Sequence, residues 1–355
     1  MSDHRTLDRL PLREFRPEPT LRVPEHHPDR FPTSAVDVHN HLGRWHRETW
    51  STPDLEQLLA VMNDVNLGAI VNLDGGWGAE LEANLDRYDR AHPGRFATFC
   101  RLDWSQTQES GWGERLAASL RDSASRGAAG MKLWKDIGLR LRDEHDALFL
   151  LDDPRLLPVW EAAAEAGIPV LVHTADPAAF FRPLDATNER LEELLAHPDW
   201  HFHGPEFPSL QRLLDALEQC VEANPGVTFI GAHVGCYAED LSWVDKMLTS
   251  YPNFNVDIAA RIAELGRQPR ATRRLVLQHP DRVLLGTDCF PPQREDYATY
   301  LRFLSTDDEH FSYSGSNPPG SGRWRISGID LPADVLDHVV GSNARRLVPA
   351  LSKQR

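Results

Sequence analysis

Two histidines separated by one residue, His39 and His41 in D-V-H-N-H-L-G, are the first chemically suggestive pattern in the chain. Alternate side chains of an extended strand point to the same side, so this pair can chelate one ion. Three further N/O donors close short apolar runs: His173 in V-L-V-H-T, His233 in G-A-H-V-G and Asp288 in G-T-D. Imidazole with carboxylate suits a divalent metal, zinc or iron among them, held as one ion or two. Each residue also has a plain structural use. An H-x-H arises by chance among 16 histidines, and a strand-end aspartate often caps the next helix. Their recurrence at four strand ends argues for a metal centre, with Asp288 and His233 also placed to move protons. Lys132, in G-M-K-L, is an amine inside an apolar run, where burial lowers its pKa or demands a partner. A metal-bridging role and an ordinary ion pair both stay open for it.

The elements that must position these groups recur regularly. Apolar, β-branched runs occupy 35–41, 68–74, 96–103, 130–134, 168–173, 227–233, 254–259 and 282–288. Their mean step of about 35 residues is the length of a strand plus a crossover helix. Helical spacing lies between them: Leu55, Leu58, Leu59, Met62 and Val65 follow Thr52-Pro53 as cap and first-turn proline, and Gly167 closes a helix over 152–166. The expected fold is α/β, a (β/α)₈ TIM barrel, with an open doubly wound sheet as its rival. Residues 1–34 read as an N-terminal arm and 35–351 as one metal-dependent barrel domain. Insertions at 175–211 and 291–327, after strands five and eight, are expected over the active face. The stretch 331–351 reads as a closing helix, with Asn343 capping or packing beneath the site.

Composition narrows the partners. The formal charge is 38 − 53 = −15, which argues against a nucleic-acid or anionic-membrane surface. No run of 18 apolar residues crosses a bilayer, and the first 32 residues lack a secretory apolar segment. A cytoplasmic protein is therefore expected, and a homo-oligomer is compatible with all of this. Cys100, Cys220, Cys236 and Cys289 are far apart, with no C-x-x-C pair, and read as reduced thiols.

Taken together, D-V-H-N-H-L-G, V-L-V-H-T, G-A-H-V-G and G-T-D resemble the amidohydrolase superfamily, in its amidohydrolase-related branch, over about residues 35–288. The resemblance implies that His39, His41, His173 and Asp288 are metal ligands, with Asp288 alternatively the base. It implies that His233 is a second-metal ligand or acid/base group. Lys132 matches in order the carbamylated lysine that bridges two metals in binuclear members. The implied chemistry is metal-activated water attacking a carbonyl-containing small molecule, or metal-assisted decarboxylation. A looser resemblance, without a distinctive motif, is to the TIM-barrel nonheme diiron monooxygenases of platensimycin and platencin biosynthesis, in secondary metabolism. That alternative implies two irons and hydroxylation of a diterpenoid-type coenzyme A thioester with O₂.

The loops bear on substrate. Trp45, Trp77, Trp104 and Trp134 lie just beyond the first four strand ends, as an aromatic pocket roof or as rim packing. Arg261, Arg267, Arg270, Arg273 and Arg274 form a local basic run. Such runs are often solvated helix faces, but near a barrel mouth they hold carboxylate or phosphate by forked hydrogen bonds. A bulky apolar substrate, anionic or coenzyme A-linked, follows, with Trp45, Trp77, Trp134 and Arg261 as candidate contacts. His201 and His203 form a second H-x-H near Glu206 and read as loop or substrate-facing residues.

Overall fold

All eight apolar runs fold as strands in a computed structural model that describes residues 7–44 and 49–352. They are β1 (Ala35–Asn40), β2 (Leu67–Asn72), β3 (Phe96–Cys100), β4 (Gly130–Leu133), β5 (Val170–Val172), β6 (Phe229–Gly231), β7 (Phe254–Asp257) and β8 (Val283–Leu284). Neighbours in sequence are neighbours in the sheet, and every pair is parallel. Val38 N donates to Leu285 O (2.9 Å) and Asp288 N to His39 O (2.8 Å), joining the last strand to the first. The eight-stranded barrel, and not the open sheet, is therefore the architecture.

One long helix follows each strand: α1 (Leu55–Val65), α2 (Gly78–Leu85), α3 (Trp112–Arg126), α4 (Leu157–Ala166), α5 (Leu210–Ala223), α6 (Leu241–Ser250), α7 (Pro269–Gln278) and α8 (Arg294–Ser305). In α1 the buried stripe is Leu58, Met62 and Val65, one helical face. Its cap is Asp54 and not Thr52, because the Asp54 carboxylate accepts from Gln57 N (2.9 Å). α4 begins later than its periodicity suggests, after a 3₁₀ turn at Pro154–Leu156, and ends at Gly167 in a left-handed conformation (φ 62°).

Strand alternation divides the apolar residues into two cores. Val36, Val38, Ala69, Val71, Phe99, Leu171, Ile230 and Leu284 fill the barrel, and Ala344, Val348 and Leu351 close its base. Ile70, Met131, Val170 and Val256 face outward into the layer shared with helix residues such as Leu58, Leu116 and Leu217. The closing segment is not one helix: Ala333–Asp337, a π turn His338–Ser342 and Asn343–Leu347 follow one another. Asn343 Nδ2 donates to Pro280 O and Val283 O (both 2.9 Å), beneath β8.

The two insertions do lie over the upper face. Glu193 from the first and Tyr313, Ser314 and Ser321 from the second line a cavity of about 560 Å³ that includes Asp288. The N-terminal segment is tied to the second, since His26 N and Nδ1 meet the Asp308 carboxylate at 2.7 and 2.6 Å. All four cysteines are free. No helix among the described residues is long and apolar enough to cross a membrane.

Candidate metal centre

The strand-one histidines face the barrel interior through a local irregularity. With Val36 and Val38 already inward, strict alternation would send His39 outward. The β1–β2 register shifts between Asp37 and Asn40, and His39 N donates to its own strand's Asp37 Oδ1 (3.0 Å). A bulge of this kind re-aims side chains, and here it brings His39 and His41 to one side, ring centroids 5.6 Å apart. Asp37 faces the other way. It accepts from Thr287 Oγ1 (2.6 Å), Asn40 Nδ2 (3.0 Å) and Tyr297 OH on α8 (3.1 Å), fixing the ends of β1 and β8 together.

Space for His39 comes from Gly286, where an added Cβ would stand 2.8 Å from His39 Cβ. Gly286→Ala is therefore expected to push the ring aside and weaken metal binding with the barrel intact. Metal titration alongside circular dichroism checks this, and unchanged affinity would contradict it.

His233 and Asp288 occupy strained backbone. His233 (φ 57°) and Val234 (φ 62°) are left-handed, as is Asp288 (φ 59°), a conformation costly for a β-branched residue such as valine. The turn after β6 is held by His233 N donating to Asp257 Oδ1 (2.8 Å), and it swings the His233 ring onto His39 (centroids 4.7 Å) and His173 (4.5 Å).

The ring hydrogen bonds settle which nitrogens are available. His39 Nδ1 meets Asp257 Oδ2 (2.8 Å), His41 Nδ1 meets Asp74 Oδ1 (2.8 Å), and His233 Nδ1 meets Ala259 O (2.8 Å). Each acceptor requires the proton on Nδ1, so each Nε2 keeps its lone pair. Those Nε2 atoms surround Asp288 at 3.9, 3.4 and 4.0 Å for His39, His41 and His233. Ligand atoms of His39, His41 and Asp288 all lie within 4.8 Å of one another. The donor set thus fits a divalent cation, with the outer carboxylates that orient metal-binding imidazoles already in place.

His173 joins the cluster differently. Its ring meets the His233 ring edge to face, but its Nε2 faces Asp176 Oδ1 at 3.4 Å, and Asp176 is paired with Lys135. Among the described residues Lys132 Nζ is buried without a hydrogen-bond or ion-pair partner, 5.2 Å from the Trp134 ring. Burial pulls its pKa down to about 8, against the raising effect of Asp257 and Asp288.

Burial, reinforced for His39 by the Lys132 charge, holds His39 and His233 well below the usual histidine range and takes His173 to about 3. Burial raises Asp37 and Asp257 to about 6 and raises Asp288 as well. Below about pH 6.5 the unfolded chain binds protons that the folded histidines refuse, so stability falls on acidification at up to about 1.4 kcal/mol per pH unit for each. The raised carboxylates oppose this, but mainly below about pH 6. The melting temperature of metal-stripped protein should therefore drop between about pH 7.5 and 6, and a rise there would contradict the burial argument.

The substrate candidates separate. Trp134 lies against the cluster, its ring 5.0 Å from His41 and 6.3 Å from His173, and Phe290 flanks His41 at 5.4 Å. Trp77 stands at the rim, lining a cavity of about 640 Å³ with Arg44, Asp74 and Arg101. Trp104 packs on Phe149 in the helix layer, which is the rim-packing use. Trp45 lies outside the described residues.

The basic run is not one patch. Arg261 is buried, Arg267 pairs with Glu189 (2.8 Å), and Arg273 donates to Ile329 O (2.6 Å). His201 Nε2 and His203 Nδ1 meet the carbonyl oxygens of Arg182 and Phe181, pinning their loop away from the cluster. Sequence reasoning missed Asp74, Asp176, Asp257 and Phe290. The acids' only signal is position, each at or just past the end of β2, β5 or β7.

A parallel barrel with imidazoles and a carboxylate gathered at the carboxyl ends of its strands is the frame of a metal-dependent enzyme, of the kind that hydrolyses or decarboxylates. The Amidohydrolase family model (Amidohydro_2) matches residues 80–350. The chain belongs to the amidohydrolase family. The match begins beyond β1, so His39 and His41 enter through the geometry. No curated protein sequence matches the chain.

Solved structures of like fold include 2,6-dihydroxybenzoate decarboxylase from Rhizobium, with TM-score 0.56 and 13% identity over 89% of this chain and 99% of that one. Dihydroxybenzoic acid decarboxylase from Polaromonas, with bound manganese and 2-nitroresorcinol, gives 0.56 and 14% over 91% and 98%. The 5-carboxyvanillate decarboxylase from Novosphingobium aromaticivorans, complexed with manganese, gives 0.52 and 12% over 90% and 96%. At these identities the likeness is one of fold.

Proposed function

We propose that this enzyme hydrolyses a carbonyl-containing small molecule at a centre held by His39, His41, His173 and Asp288. His233 serves there as a further ligand or acid/base group. The observation that carries the reading is the set of three Nδ1-anchored imidazoles whose Nε2 atoms surround one carboxylate. A divalent cation there lowers the pKa of a water and polarises a carbonyl. Asp288, its carboxylate made more basic by burial, takes the proton of the attacking water at its oxygen and returns it to the leaving group. The Trp134 ring beside His41 excludes water and offers an apolar wall to the substrate, with Trp77, Trp45 and Arg261 as further contacts. Decarboxylation uses the same side chains, with the proton delivered to carbon, and the fold shared with decarboxylases supports it. The manganese in two of those structures supports a divalent ion here, with zinc as our first assignment.

One observation favours a second reading. Lys132, His173 and His233 extend the cluster beyond the His39–His41–Asp288 group, enough donors for two ions. Two irons would suit O₂-dependent hydroxylation of a bulky apolar, coenzyme A-linked substrate. Elemental analysis of protein purified without added metal, with oxygen-electrode measurements, decides between them. Zinc without oxygen uptake is expected. About two irons per chain with oxygen consumption would overturn the hydrolase reading.

A further inference from the structure

Arg261 follows β7 by four residues, after the left-handed Ala260 (φ 51°), and is 8% exposed. A guanidinium keeps its charge in any environment a protein provides, so burying one is costly unless a carboxylate meets it. The other buried arginine, Arg190, obeys this rule, pairing with Glu193 at 2.7 Å and with Glu264. Arg261 does not. Among the described residues no carboxylate lies within ion-pair distance, and its one side-chain hydrogen bond runs from Nη1 to the adjacent Ala260 O (2.8 Å).

The nearby acids hold other partners, Glu264 Oε1 with Arg190, Asp176 with Lys135 and His173, and Glu239 Oε1 with Ala178 N (2.8 Å), while the second oxygens of Glu264 and Glu239 are buried beyond ion-pair distance of Arg261. They steady the charge from a distance without satisfying its donors. Of the five N–H groups a guanidinium carries, only one has a hydrogen-bond partner among the described residues. The chain leading into Arg261 borders the cluster, since Ala259 O accepts from His233 Nδ1 (2.8 Å) and Ala260 N donates to Thr287 O (3.2 Å), next to Asp288. With Lys132 it makes a second buried cation without an anionic partner beside the same centre, in a chain of net charge −15.

We propose that Arg261 anchors a carboxylate of the substrate, separate from the bond that reacts at the cluster, so that the substrate is an organic carboxylate with an apolar body. A planar carboxylate matches the free fork of donors in two parallel hydrogen bonds. The proposal rests on the cluster being the active site. It assigns Arg261 to specificity and not to metal retention.

Titration calorimetry on the metal-loaded protein tests it, with benzoate as the probe, benzamide as its uncharged counterpart and inorganic phosphate as the rival anion. Benzoate is expected to bind at least about tenfold tighter than benzamide. Arg261→Gln should erase that preference, Arg261→Lys should keep part of it, and both should retain wild-type metal content and melting behaviour. The proposal is overturned if benzoate does not bind, or if the preference survives in Arg261→Gln. Loss of metal in both variants, or an Arg261-dependent phosphate affinity exceeding that for benzoate, also overturns it. Failure of the active-site reading appears separately, as absence of stoichiometric metal from the unaltered protein.

Discussion

His39→Ala and Asp288→Asn are each expected to abolish turnover and leave the barrel folded. His39 contributes one of the Nε2 atoms facing Asp288, and Asp288 is the carboxylate around which they gather. A divalent cation there would bring a water's pKa from ~16 to ~7, so a chain without the ion would lose at least on the order of a thousandfold in rate, and residual turnover would follow the fraction of chains that keep it. Neither substitution removes a large apolar contact, because the barrel interior below the cluster is filled by Val36, Val38, Phe99, Leu171 and Leu284. Metal content by mass spectrometry, activity and circular dichroism on the same samples give the check. A metal-depleted His39→Ala protein with full activity would sink the proposed mechanism.

Asp257→Asn is the second large effect expected; Asp257 lies outside the His39–His41–Asp288 group but has a carboxylate oxygen within 4.8 Å of ligand atoms of His39 and His233. Asp257 Oδ1 accepts from His233 N (2.8 Å) and Ala259 N (3.0 Å), while Oδ2 meets His39 Nδ1 (2.8 Å). An asparagine keeps its carbonyl oxygen on the two backbone donors, which leaves its amide NH₂ against His39. The imidazole must then accept through Nδ1 and carry its proton on Nε2, the nitrogen meant for the ion. Outer-shell losses of this kind cost roughly 10–100-fold in metal affinity, and a forced tautomer falls at the upper end. Metal competition titrations read the affinity, and nitrogen-15 NMR of the histidine rings reads the tautomer. Unchanged Nδ1 protonation with full affinity would show that Asp257 serves only the turn.

The barrel was legible because each strand announces itself as an apolar run ending in a polar group, and the same ends carry His173, His233 and Asp288. The histidine pair of β1 was legible as a pair. Its inward aim depends on a register shift that alternation does not contain. Asp74 and Asp257 were hidden for a related reason: each serves a histidine on another strand, His41 and His39, and only closure of the barrel makes them neighbours. The arginine run failed as a unit because one side chain turns inward and the rest lie along loops and α7, a split that spacing alone does not reveal. Trp104 and Trp134 look alike in sequence, each just past a strand end. One packs on Phe149 and the other against the imidazoles, since Trp134 directly follows β4 whereas Trp104 opens a 3₁₀ turn four residues past β3.

The join between β8 and β1 is crossed by the Val38 N–Leu285 O and Asp288 N–His39 O bonds, and His39 and Asp288 sit on its opposite lips. A cation held by both lips would act as a rivet across that join. Thermal opening of the cylinder and escape of the ion would then be a single event, and the heat resistance of the whole chain would rise with the concentration of free cation around it.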